Sequence, residues 1–552
     1  MKLKSILYTL VIISIAVLAA CSSSNDGNNE NDETLNNANE ENNGDNGAVD
    51  NLNATGMPIV DEPIDLQIFA GKAATTADDW NDVLLLNEYE EMTNVNIDWE
   101  QAPADGLDEK RNLALASNSL PDVFYAANVP VSDIQKYGDQ GTFIPLEDLI
   151  EEYAPNVAQV LDENPDIRKG LTFPDGHIYS IPTIYSPDFE SLLIGAKGWV
   201  NKEFLDELDM ENPETTDEFY EYLKAIKEQD VNGDGENNEI PLGSVAEMSR
   251  IIHWISGAFG VQNKGQLHTL IDEDPDTGDM RFYPISDPYK EMLKYLNKLY
   301  EEELIEQNIY SIEVEQHLAN ASENLYGAVQ FYNPIELYGK EVGEKFIPGN
   351  ALEGPDGIKS YTGVTSPLRS LGNFLITKEN EHPEATLRWI DYFWSDEGSK
   401  MFFMGIEDVT YEETEDGPEL LDEITDNPDG LTLTEALAKY IINPGGNHPV
   451  MVTSDYFTGS ENAAQDIEAA EQIEPYLIDE IWPAFTYESD ENSRVNVIET
   501  DLGKYVSEMQ AAFITGEKDF SEWDDYVKTV EKMDLDEYME IQEAALERYR
   551  EN

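Results

Sequence analysis

The chain has 552 residues, and its 114 acidic against 33 basic side chains give a formal net charge of −81. Such a field repels nucleic acid and anionic lipid headgroups, so binding of a polyanion by a basic surface is excluded. A saline or alkaline habitat, where ions screen the self-repulsion, suits this charge, and an acidic extracellular surface is the plainer account of it.

At the start of the chain, Lys2 and Lys4 precede an apolar run over 6–20, shorter than the ~20 residues of a membrane span, which reads as a secretory signal. The run ends in Leu18-Ala19-Ala20-Cys21, and Cys21 is the sole cysteine, so no disulfide is available. These residues resemble a bacterial lipobox. The resemblance implies cleavage after residue 20, acylation of the Cys21 thiol, and a lipid anchor on the outer face of the cell membrane. Residues 22–53 are mostly Ser, Asn, Asp, Glu and Gly, too poor in apolar surface to offset chain entropy, which predicts a disordered tether over 21–60.

The roughly 490 residues beyond the tether exceed what one core organises and suit two lobes. Ile64-Asp65-Leu66-Gln67-Ile68-Phe69 reads as a first strand, residues 80–91 as a helix, and Val95-Asn96-Ile97-Asp98-Trp99 as a second strand. A helical stretch over 108–118 precedes a third strand in Leu120-Pro121-Asp122-Val123-Phe124-Tyr125. Strands separated by helices predict an α/β fold with a mainly parallel sheet, whose ligand crevice lies beyond the carboxyl ends of the strands.

Ser119-Leu120-Pro121-Asp122-Val123, then Gly141-Thr142-Phe143-Ile144-Pro145-Leu146-Glu147, then Pro174-Asp175-Gly176-His177-Ile178-Tyr179-Ser180-Ile181-Pro182 follow one another. Together with Trp199-Val200-Asn201-Lys202-Glu203-Phe204-Leu205 and Gly405-Ile406-Glu407-Asp408-Val409-Thr410-Tyr411, their order resembles that of extracellular solute-binding proteins of family 1, the binding components of ABC importers. The likeness extends from Ile64 to the C-terminus and is greatest to lipoproteins serving oligosaccharide importers. Asp408 and Asp534 depart from it, standing where relatives usually have Gly. The resemblance implies a periplasmic-binding-protein-like fold of type II, with two lobes closing about a hinge, a carbohydrate ligand, an ABC permease as partner, and a monomer. Lobe 1 is expected over 61–184 and 327–378 and lobe 2 over 185–326 and 379–552, with crossings near 182–186, 324–328 and 376–380.

Thr215 and Glu218 have capping-box spacing, and Phe219, Leu223 and Ile226 recur on one face, which predicts a helix to about Glu228. Directly after it, Asp230-Val231-Asn232-Gly233-Asp234-Gly235-Glu236-Asn237-Asn238-Glu239 puts oxygen side chains at positions one, three and five and Gly at six. Hard Ca²⁺ takes six to eight oxygens, and this alternation aims them at one ion. The expected ligands are Asp230, Asn232, Asp234, Asn238 and Glu239, with the Glu236 carbonyl. Pro241 occupies position twelve, so Glu239 must close the shell. A metal-free polar turn is the alternative. By resemblance to alginate- and oligosaccharide-binding relatives, the ion is structural and sits in the second lobe.

A sugar needs aromatic platforms for its C–H faces and side chains that hydrogen-bond both ways. Family position offers Tyr185 near the hinge, Trp254 on the second lobe and Tyr332 where the chain returns to the first; Asp122 and Asp82 are polar candidates. Trp199, Trp389 and Trp394 read as core. Lys197, Arg250 and Arg369 are cations that could offset the global field near a ligand. The sequence contains no HExxH, Gly-x-Ser-x-Gly or Walker pattern, and its one thiol is committed to acylation. A surface glycoside hydrolase, or a carbohydrate adhesin or sensor uncoupled from import, stays open as the alternative at this stage.

Overall fold

A computed structural model describes residues 51–551 except 74–75, 118, 246–247, 416, 430 and 443–447. Cys21, the signal segment and the tether up to residue 50 lie outside the described residues. Among the described residues, no helix is long and apolar enough to cross a membrane.

Ile64–Lys72 buries Ile64, Leu66 and Ile68 while exposing Asp65 and Gln67 between them. That alternation seats the strand in a sheet, where it pairs in parallel with Val95–Pro103 on one side and Val123–Tyr125 on the other. Phe374–Ile376 closes the edge antiparallel to Val123–Tyr125. A turn at Trp80–Asp82 followed by the helix Leu84–Thr93, and a second helix Leu107–Ser117, supply the crossovers.

A second sheet orders Phe346–Pro348, Lys197–Asn201, Tyr326–Phe331 and Ile240–Ser244. Only Ile240–Ser244 runs parallel to its neighbour, so this sheet is mixed rather than mainly parallel. The helix Thr216–Glu228 packs beside it and begins at Thr215 with both halves of the expected capping box formed.

The apolar side chains collect in two large cores. The first runs from Ile59 to Leu192 and from Leu368 to Phe457, the second from Leu193 to Val364 and from Ala470 to Leu546. The chain therefore crosses between them around 185–193, 364–368 and 457–470. The first of these ranges lies next to the crossing expected near 182–186. The other two depart from those expected: Tyr326–Phe331 belongs to the second sheet, and residues 379–457 pack into the first core, with Trp389 and Phe393 against Tyr89. Short apolar strands that look alike in sequence carry no mark of the sheet they join, which is why the expected return to lobe 1 at 327 and the assignment of 379–457 to lobe 2 fail.

At the crossings a three-stranded sheet joins the halves, with Thr183–Tyr185 between Leu368–Ser370 and Met451–Val452. The Thr183 hydroxyl donates to the His448 carbonyl at 2.6 Å and accepts from Asn373 at 2.6 Å.

The tether boundary also shifts. Ile59 and Val60 are 0% and 3% exposed and sit in the first core, and Arg388 donates to the carbonyls of Asn53 and Gly56. Residues 51–60 are thus docked. Asp408 and Asp534 adopt φ of 62° and 56°, the left-handed region that glycine enters most easily. Asp534 also pairs with Arg494 at 2.7 Å.

Candidate functional site

Where the crossing segments meet the second sheet, a cavity of about 320 Å³ opens. The helix Met248–Ile255 forms one wall because its apolar face, Met248, Ile251, Ile252, Trp254 and Ile255, is buried in the second core. That packing turns Ser249, Arg250 and His253 toward the cavity. Burial, with Arg250 nearby, holds His253 down at about 4, so its ring is neutral at physiological pH.

Opposite, Tyr332 follows the central strand of the second sheet, and the Arg250 guanidinium lies 5.0 Å from its ring. A cation held over an aromatic face stiffens both partners. Gly195, at φ 61°, lets the Tyr332 ring approach to 3.4 Å of the place a Cβ would occupy.

Tyr185 and Arg369 come from the connecting sheet. A bulge between Leu368 and Ser370 interrupts the register at Arg369, a device that re-aims a side chain, and its guanidinium reaches the Tyr185 hydroxyl. Burial raises the Tyr185 hydroxyl above its ordinary range, against the influence of Arg369. Glu461 completes the rim and is also raised by burial.

Two buried polar atoms lining this cavity, Gln330 Oε1 and Thr365 Oγ1, have no hydrogen-bond partner within the chain. Buried polar groups are almost always satisfied, so these two atoms are exceptions among the residues that line the cavity. The Gln330 amide nitrogen is already committed to the Ala196 carbonyl at 2.9 Å, which fixes the free oxygen in direction.

Behind the cavity wall, Lys197 and Asp466 are fully buried and 3.2 Å apart. Burial pushes Lys197 down and Asp466 up, and their mutual attraction opposes both shifts. Lys197 also donates to the carbonyls of Ser191 at 3.0 Å and Gly195 at 2.8 Å, and Asn333 donates to Asp466. The buried cation thus pins the segment that forms the cavity floor.

Of the five candidates named from the sequence, Tyr185 and Tyr332 are brought together here. Trp254 is not: it is 2% exposed, lies 5.0 Å from Phe219, and donates its indole N–H to the Asn350 carbonyl. Asp122 stands at the amino end of its strand, the end away from a ligand crevice in a parallel sheet, and its carboxylate accepts from the Gln67 amide at 2.7 Å. Burial raises its pKa. Asp82 is exposed in the first turn after the first strand and does not line the cavity. Of the three cations, Arg250 and Arg369 line the cavity and Lys197 supports it. Gln330, Thr365, His253 and Glu461 were missed. The polar face Ser249, Arg250 and His253 on an otherwise apolar helix was the available signal for His253.

In the loop after Glu228, Asp230 accepts from the amides of Gly233 and Gly235 at 2.9 and 3.0 Å. Asn232 accepts from Asp234 N at 2.9 Å and Asp234 from Glu236 N at 2.7 Å. Asn238 donates to Asp234 Oδ2 at 3.4 Å. Gly233 and Gly235 take φ of 76° and 92°. Glu239 is 6% exposed; one of its oxygens accepts from Val231 N and Asn232 N, and the other is buried with no partner. Among the described residues, no three His, Cys, Asp or Glu side chains converge as a formed metal cluster. The all-oxygen donor set and the unpartnered Glu239 oxygen nevertheless fit a hard cation.

The chain matches the model of the bacterial extracellular solute-binding proteins over residues 73–400, more than half its length. It is 28% identical over 501 residues to the fructooligosaccharide ABC transporter substrate-binding protein FusA of Streptococcus pneumoniae, covering 88% of this chain and 91% of that one. It is 25% identical to the polygalacturonan/rhamnogalacturonan-binding protein YtcQ of Bacillus subtilis, over 60% of this chain and 64% of that protein. The structure of S. pneumoniae FusA in complex with kestose superposes with a TM-score of 0.73 at 26% identity, covering 89% of this chain and all of that one. An EF-hand mutant of FusA in complex with fructo-nystose superposes with a TM-score of 0.72. With its two cores, connecting sheet and intervening cavity, the chain belongs to the bacterial extracellular solute-binding protein family.

Proposed function

We propose that this protein is the oligosaccharide-binding subunit of a carbohydrate ABC importer, acting as a monomer anchored through lipid on Cys21. The observation that carries the reading is the cavity at the crossings, where Tyr185 and Tyr332 offer ring faces and Gln330 and Thr365 hold unpartnered oxygens among two arginines and a glutamate. Pyranose and furanose units present C–H faces and hydroxyls that both donate and accept, and this lining answers each. The resemblance to FusA supports an oligosaccharide over a single sugar. Closure of the two cores about the connecting sheet would favour the liganded form and present it to the permease. Reading the chain as a binder rather than a hydrolase follows FusA and YtcQ, both named for binding.

Ca²⁺ is proposed for the loop over 230–239, held by Asp230, Asn232, Asp234, Asn238 and Glu239 with the Glu236 carbonyl. When bound it would supply structural charge neutralisation, tying the end of the helix Thr216–Glu228 to the start of the strand Ile240–Ser244. The EF-hand of FusA, altered in the mutant solved in complex with fructo-nystose, supports this assignment.

A thermal-shift screen against neutral and uronic oligosaccharides, with reducing ends assayed in parallel, should give a shift without hydrolysis; turnover would establish an enzyme, and silence across all sugars would remove carbohydrate as the ligand. Within that screen Tyr332→Ala should abolish the shift at unchanged apo stability. Trp254→Ala should instead cost about 3–5 kcal/mol of stability, as for a buried aromatic. Excess chelator should lower Tm by several degrees while ligand affinity holds, since a bound ion stabilises only the folded state; an unmoved melting curve would eliminate the metal. Replacing Cys21 by Ser should transfer the protein from the membrane to the soluble fraction with affinity intact, and retention on membranes would rule out the lipid anchor.

A further inference from the structure

Tyr332 is 38% exposed, so no core holds its ring, and its position depends on its neighbours. Asn333, the next residue, is 2% exposed, and both ends of its side-chain amide are engaged. Its Oδ1 accepts from the amides of Ile335 and Glu336 at 2.7 and 3.0 Å, capping the helix Pro334–Tyr338. Its Nδ2 donates to Asp466. Turning this amide over would break all three hydrogen bonds, which fixes the backbone on which Tyr332 stands.

Asp466 is the centre of the arrangement. It lies in the helix Ala464–Ile473, at the third crossing, and is fully buried. One carboxylate oxygen takes the Asn333 amide and the other the Lys197 ammonium at 3.2 Å. Lys197 stands opposite Phe331 in the second sheet and carries the constraint to the floor through the Gly195 carbonyl at 2.8 Å. Gly195 is the residue whose missing Cβ admits the Tyr332 ring. Both sides of that contact therefore hang from one carboxylate, Tyr332 through Asn333 and Gly195 through Lys197. The rim joins them: the Asp466 amide donates to the Ala463 carbonyl at 2.9 Å, and the Ala463 amide to the Ser460 carbonyl at 2.8 Å, in the turn that bears Glu461. Lys197, Asn333 and Asp466 do not line the cavity themselves. A buried ion pair is weak evidence for stability, because an apolar pair of similar volume often serves as well. A satisfied buried polar network instead specifies one geometry.

We propose that Asn333, Asp466 and Lys197 are positioning residues for ligand binding, a buried network that sets the Tyr332 ring against the Gly195 floor and the Glu461 rim before a ligand arrives. The inference rests on the carbohydrate reading above and adds the source of the site's preorganisation. Groups already ordered bind more tightly because their ordering no longer opposes association. Loosening the network should therefore weaken binding without removing a single ligand contact.

Lys197→Met alone would strand the Asp466 carboxylate in the interior and mix folding with function. Asn333→Ser separates them: serine still caps the helix, but it lacks the amide that reaches Asp466. Lys197→Met combined with Asp466→Leu is a second variant, replacing the ion pair by apolar side chains of similar volume. In each, meta-fluorotyrosine at position 332 alone reports the ring by its fluorine resonance in the ligand-free protein. The same label at position 185 is the control, a tyrosine of the connecting sheet bonded to none of the three residues. Titration calorimetry with the di-, tri- and tetrasaccharides of the fructo-oligosaccharide series and with galacturonates of equal length gives Kd. Both variants should shift or split the resonance at 332, leave that at 185 in place, and weaken Kd by about tenfold, the equivalent of 1.4 kcal/mol. An unmoved resonance at 332, equal changes at 332 and 185, or an unchanged Kd would overturn the positioning role and leave the carbohydrate reading standing. No binding of either series by the wild type would overturn the carbohydrate reading, and the ligand role of the network with it.

Discussion

Every functional feature of this molecule depends on three crossings of the chain between two hydrophobic cores. Thr183–Tyr185, Leu368–Ser370 and Met451–Val452 hydrogen-bond to one another there as a small sheet, so the halves are joined by backbone whose polar groups are already paired. Tyr185 lies at the end of the central strand and packs against both cores at once. A bend about these strands moves one core relative to the other without opening either, because each keeps its own apolar contacts. The same bend changes the spacing of Tyr185 and Arg369, carried by the connecting sheet, from Arg250 and Tyr332, carried by the second core. On the function proposed above, these four side chains would couple ligand binding to domain motion.

The charge distribution is organised around the same place. A chain of −81 would repel an anionic solute everywhere on its surface, yet two of its few arginines are held at the cavity, one by Tyr332 and one by a bulge and Tyr185. The third cation of the region, Lys197, is spent on structure. Its ammonium satisfies two carbonyls and Asp466 in a fully buried setting, and removing either member of such a pair would strand a charge in the interior. Positive charge around the cavity is thus divided between groups that line it and a group that fixes the floor beneath it.

Much of this was legible in the sequence, unevenly. The first sheet announced itself through the alternation in Ile64–Lys72, and the capping box at Thr215 located its helix because both signals are local. The hinge aromatic Tyr185 and the cations Arg250 and Arg369 could be named, though not their mutual arrangement. Trp254 was misread because an aromatic beside a cleft and an aromatic beneath it share the same neighbours in sequence; only the packing of Phe219 and Gly198 around it separates them. Asp122 was misread because strand direction decides which end of a sheet meets the ligand. The partition of 327–457 between cores was invisible, since sheet membership is settled by non-local pairing. Gln330 and Thr365, whose unpartnered oxygens identify the cavity best, look ordinary until their surroundings are known.

The coupling of binding to closure is tested most directly by a distance between the two cores. Leu113 and Val314 are 66% and 46% exposed, on elements of the first and second halves respectively. Spin labels on Leu113→Cys and Val314→Cys, in a background lacking Cys21, report that distance by pulsed electron resonance. Saturating kestose should narrow the distribution and shift its mean by several ångströms, on the scale of a hinge closure. An identical distribution at a concentration where calorimetry shows full occupancy would contradict closure about the connecting sheet.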